Sequence, residues 1–138
     1  MDEQIGKKPD YGNWVSKRLI YICGVVGFVF LGLAFLFLFL VVPAALFFLT
    51  CLYFVYARYE FTPMGGNVQN HIWELVLEHL DWNGEGQALD IGCGNGPLTI
   101  KLAHKYGGAQ VVGIDYWGEK WEYSKNICER NARIEGGK

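Results

Sequence analysis

Read for polarity alone, the chain falls into three stretches. Residues 1–18 mix charged, polar and apolar positions without a period, with Lys7, Lys8, Lys17 and Arg18 set against Asp2, Glu3 and Asp10. Residues 19–57 then carry no charged side chain over 39 positions. Beyond Tyr59 polar residues return, and the apolar spacing changes from helical to strand-like and back. Val68, Ile72, Leu75, Val76, His79 and Leu80 recur at the intervals that gather side chains on one helix face, with Gln69, Glu74 and Glu78 on other faces. Asp81 to Gly86 is a loop that stops this helix. Gln87–Ile91 predicts a short strand running into a glycine loop, Ala109–Ile114 predicts a second, buried strand, and Pro97–Tyr106 predicts a helix between them. Gly107 and Gly108 end that helix, while Lys101, His104 and Lys105 complement its dipole. From Gly118 onward Trp121, Ser124, Cys128 and Ala132 trace a further helical stripe. The order helix, strand, helix, strand, helix predicts an α/β fold that winds around parallel strands.

The uncharged stretch is too long for one ordinary helix. A bilayer core of about 30 Å needs roughly 20 helical residues, so 39 positions overshoot one crossing and fit two short ones. Pro43 with Ala44 and Ala45 falls just past the midpoint, where a proline can open a second helix. The predicted division is a polar segment over 1–18, helices near 19–40 and 43–58, a linker over 59–66 and an α/β part over 67–138. Lys17 and Arg18 precede the run and Arg58 follows it, which predicts a multi-pass protein of the cell membrane with both ends cytoplasmic. Trp14, Tyr21, Tyr53, Tyr56 and Tyr59 stand near those ends, as interfacial aromatics do. One long tilted span, or a signal peptide cleaved near Val42-Pro43-Ala44, are the competing readings. The second fits poorly, because a signal core is only about 7–15 residues long.

Composition and charge narrow the partners. A net charge of -2 gives no indication of nucleic-acid binding, which calls for a basic stripe. With 51% hydrophobic and 19% charged residues, disorder is excluded. Four cysteines, two of them in the apolar run, do not make a disulfide framework. His71, His79 and His104 lack metal-ligand spacing, and no metal site is predicted.

The candidate chemistry lies in Asp90-Ile91-Gly92-Cys93-Gly94-Asn95-Gly96, between a strand and a helix. Alternate glycines allow a ligand to lie against the main chain, and the following helix offers free N–H groups. Asp115, nineteen residues past Gly96, stands at the end of the second strand, where a carboxylate can accept ribose hydroxyls. Dinucleotide sites use G-x-G-x-x-G, and here the third glycine arrives one residue early. Asp90 would also repel a pyrophosphate and would suit a cationic amino group.

Ala88–Gly96 together with Val111-Val112-Gly113-Ile114-Asp115 resembles the first two motifs of the class I S-adenosylmethionine-dependent methyltransferases. The resemblance covers about Asn67 to Gly136, including the helix end Asn131–Gly136. It implies the start of a Rossmann-like class I methyltransferase fold preceded by a two-helix transmembrane hairpin, with S-adenosyl-L-methionine as cofactor. It also implies that Asp90, Gly92, Cys93, Gly94 and Gly96 line the methionine part, that Asp115 takes the ribose, and that Tyr116 or Trp117 lies near the adenine. Trp117 and Trp121 can equally pack helix on sheet, and Cys93 is read as a small loop residue rather than a nucleophile. No catalytic residue is assigned, because acceptor-side groups in that family come from later strands, and the methyl acceptor is unknown. The family's sheet has seven strands, so this chain is expected to be an incomplete form without turnover of its own. A NAD(P)-binding oxidoreductase fragment and a non-catalytic membrane protein with a partner-binding α/β part are the alternatives.

Overall fold

The computed structural model describes residues 8–118 and 122–136. They divide into two units, Asn13–Asn70 and the described parts of Met1–Gly12 with His71–Lys138.

The first unit is a helical hairpin. Helix α1 spans Lys17–Leu33 and α2 spans Val41–Glu60, with a 3-10 turn at Leu38–Leu40 leading into α2. Ser16 caps α1, its hydroxyl accepting from the Arg18 N–H. Small residues let the two helices approach: Cys23, Gly27 and Ala44 are buried, and a Cβ on Gly27 would stand 3.2 Å from the Phe48 ring. Phe28 meets Phe48 edge-on, Phe30 stacks on Phe47, and the Cys51 thiol lies 3.6 Å from the Ile20 carbonyl, so the helices run antiparallel. The outer surface is apolar, with Ile22, Val25, Val29, Leu46, Leu49, Leu52 and Val55 exposed. That is the reverse of a helix pair stabilised in water, which turns its apolar stripe inward.

Helix boundaries differ from the sequence expectation of 19–40 and 43–58. Helix α1 stops at Leu33, and the chain turns through the extended Phe37. Pro43 does not open α2. It is the third residue of α2, where its missing N–H still costs nothing because the first turn's donors have no intrahelical partner. The stretch Leu38–Glu60, with mean hydropathy 2.5, is long and apolar enough to cross a membrane. At 17 residues α1 is about 25 Å long, short of a bilayer core. A second correction concerns Gln69, assigned to a polar face of its helix. It is buried, and its side-chain oxygen accepts from the Trp14 N–H at 3.3 Å.

The second unit is a small α/β body. After α3 (Val68–His79), whose first turn contains the division between the units, come β1 (Gln87–Ile91), α4 (Pro97–Lys105), β2 (Gln110–Ile114) and α5 (Lys125–Ile134). Strands β1 and β2 are parallel, in register from Gln87 opposite Gln110 to Ile91 opposite Ile114. Helix α4 covers the face carrying Asp90 and Gly113, where a Cβ on Gly113 would stand 2.8 Å from the Thr99 hydroxyl. On the other face Leu89, Ile91, Val112 and Ile114 are exposed. Lys101 pairs with Glu74, holding α4 to α3 and keeping the Glu74 carboxyl below its usual range. Helix α5 starts seven residues later than the stripe from Gly118 predicts, because Ser124 is its cap, accepting from the Ile127 N–H at 3.2 Å. Trp121 of that stripe lies outside the described residues.

Candidate functional site

Because β1 and β2 end in register at Ile91 and Ile114, the segments that follow them meet. The Ile114 carbonyl accepts from the Gly92 and Cys93 N–H groups at 2.7 and 3.1 Å, which carries the pairing past the strand into the loop. Asp115 then turns its carboxylate back into that loop. One oxygen accepts from the Gly94 N–H at 2.9 Å and the other from the Trp117 N–H at 2.8 Å. The Trp117 indole N–H in turn donates to the Gly94 carbonyl at 2.8 Å. Gly94 is thus held by both of its main-chain groups.

Glycine is needed here for two separate reasons. Gly92, Gly94 and Gly96 have φ of +82°, +56° and +83°, a left-handed backbone that other residues adopt at a cost. At Gly96 a Cβ would also come 3.0 Å from the Cys128 sulfur, whereas at Gly92 it would meet nothing within 4 Å. The main chain at Gly92 is therefore open to a ligand. Gly96 is followed by Pro97 at the first position of α4, so the free N–H groups of that helix stand beside the loop.

The other expected residues fall around this loop. Asp90 lies half-buried as the penultimate residue of β1 before the glycines, and one of its oxygens accepts from the Thr99 hydroxyl at 2.6 Å. Cys93 is buried beside Gly113 and the Cys128 thiol. Burial first, then Cys128 and the Asp90 and Asp115 carboxylates, push its thiol up to about 12, so it stays protonated and is no nucleophile at neutral pH. Tyr116 is 93% exposed, while Trp117 is half-buried against the loop with φ of +45°. His79 bonds the Leu75 carbonyl and His104 the Glu135 carbonyl. An apolar hollow of about 300 Å³ lies elsewhere, along β1 between α3 and α4, lined by Val76, Leu80, Leu89, Leu98 and Leu102 among others.

Sequence reasoning missed Asn95 and Asn131, the two largest fully buried side chains among the described residues. Asn131 sits inside α5, where asparagine is a poor helix former, and that mismatch was the available signal.

The stretch that builds this loop and both strands has known relatives. Residues 83–135 match a family described as a methyltransferase domain. Over 60 residues the chain is 32% identical to the pavine N-methyltransferase of Thalictrum flavum subsp. glaucum. That alignment covers 44% of this chain and spans 17% of the length of the plant protein. No solved structure matches the chain. Both matches support a methyltransferase, and the family match falls on the α/β part.

Proposed function

We propose that the chain is the anchor and cofactor-binding part of a membrane-bound methyltransferase that uses S-adenosylmethionine and carries the class I, Rossmann-like arrangement. The observation behind this reading is the loop Gly92–Gly96, left-handed at three glycines and tied across to Asp115 at the ends of two parallel strands. The residues fit such a cofactor. Open main chain at Gly92 accommodates its methionine part, Asp90 offers a carboxylate to an ammonium group, and Asp115 keeps lone pairs for ribose hydroxyls beyond its two main-chain bonds. Tyr116 and Trp117 follow Asp115 and offer rings for the adenine. When bound, the cofactor supplies an activated methyl group, and the chain's share is to hold and orient it.

The membrane part of the reading rests on the apolar outer surface of the hairpin and on connectivity. The described residues of 8–12 and 71–136 belong to one compact unit, which supports a segment between them that begins and ends on the same side of a bilayer. This favours an even number of crossings over a single span. Basic residues at Lys17, Arg18 and Arg58 favour the cytoplasmic side for those ends. The partners are then the lipid bilayer and a methyl acceptor.

Titration calorimetry on the full chain with S-adenosylmethionine, S-adenosylhomocysteine and NAD tests the reading. Binding of the first two and not of NAD is expected, and Asp115→Ala should weaken it at least tenfold, since a hydrogen bond to a charged acceptor contributes about 1.5–3 kcal/mol. Preference for NAD would favour a dinucleotide site, and no binding of any would sink the assignment.

A further inference from the structure

The segment before the apolar hairpin reads in sequence as a plain polar flank, yet it is bonded into the glycine loop. The Asp10 N–H donates to the Asn131 side-chain oxygen at 3.0 Å, and the Asn131 amide donates back to the Asp10 carbonyl at 2.8 Å, a reciprocal pair like one rung of a sheet. The same carbonyl accepts from the Asn95 amide at 3.1 Å. Asn131 also donates to the Asn95 carbonyl at 3.0 Å, and the Asn95 oxygen accepts from the Ser124 N–H at 3.2 Å. Asn95 is 1% exposed and Asn131 0%, so neither can turn to water if these partners leave. Two residues on, Gly12 has φ of +70°, and a Cβ there would stand 2.8 Å from the Tyr123 ring, the ring that also packs over Gly94. Tyr11 meets Trp73 edge-on at 5.9 Å.

We infer that Asp10–Gly12 is a strap that positions the glycine loop for its cofactor, with Asn131 as the positioning residue that couples strap to loop. The inference rests on the cofactor-binding reading above. Asn95 lies between two of the loop's glycines and takes its orientation from a main-chain carbonyl 85 residues away in sequence. The strap therefore acts on the loop's shape and touches no reacting atom.

The test uses the full chain in nanodiscs, with S-adenosylhomocysteine affinity and amide hydrogen exchange at Gly94–Gly96 as readouts. Gly12→Val lifts the strap by steric conflict with Tyr123 at 2.8 Å, and with the Asn95 amide at 3.3 Å, while leaving the loop's own sequence unchanged, and Asn131→Ala removes the coupling. Each should weaken affinity about tenfold or more and speed exchange of the loop amides at least tenfold, and the double variant should be no worse than either single one. Additive losses, or unchanged affinity and exchange in Gly12→Val, overturn the inference. If Asn131→Ala does not fold, Gly12→Val alone decides. Should the parent chain fail to bind the ligand, the cofactor reading falls, and loop exchange in Gly12→Val still decides whether the strap orders the loop.

Discussion

Cys93 shows how the loop's surroundings set the chemistry of one side chain. Its thiol, ordinarily near 9, stands at about 12 because burial and nearby carboxylates disfavour the thiolate. As pH rises above 9 the unfolded chain releases this proton while the folded chain keeps it until about 12, so the folded form binds more protons and loses stability through that window. Below pH 9 the contribution is fully present. Cys93→Ala should flatten the alkaline decline in melting temperature between pH 9 and 11, measured by circular dichroism, with Cys128 and Tyr11, also raised, supplying what remains. An unaltered decline would mean the thiol is not held as described. At this scale the sequence was readable where residue type itself carries the message: alternate glycines and a carboxylate at a strand end. Asn95 and Asn131 were opaque, because their partners are main-chain atoms far away in sequence, and no spacing announces such a bond.

Elements were legible in proportion to the contrast between their faces. Strand β1 came out with its expected ends and β2 within one residue of them, since each is a short apolar run bounded by turn residues. The hairpin boundaries were not, because an uninterrupted apolar stretch has no polar face to phase the helices, and the turn is fixed by which small residues meet which rings. The start of helix α5 differs from the predicted one because Ser124, on the line of the apolar stripe, is the cap. Packing between elements gives a direct test at Gly113, in the middle of the α4-covered sheet face. A Cβ there would stand 2.8 Å from the Thr99 hydroxyl and 3.0 Å from the Cys93 sulfur. Gly113→Val should push α4 off the sheet and destabilise the α/β unit by about 1–3 kcal/mol, the usual range for overpacking. Denaturant unfolding followed by far-ultraviolet circular dichroism would read the shift, and a variant as stable as the parent would show that the helix is not seated against β2.

For the whole molecule, the proposed topology makes a prediction that a reporter can read. An enzyme active only outside the cytoplasm, fused after Lys138, should give no signal if the hairpin returns the chain to its starting side. A strong signal would require an odd number of crossings and would break the strap's geometry with it. The strap also imposes an order on biosynthesis. Asp10 and Asn131 are separated by 121 residues, which at about 5–20 residues per second take on the order of 10 s to translate. Through that interval Asp10 lacks its Asn131 partner while the apolar hairpin and then the glycine loop emerge. The strap therefore cannot close on the α/β unit until α5 has left the ribosome, and the contact that orders the loop forms well after the loop's own residues have emerged.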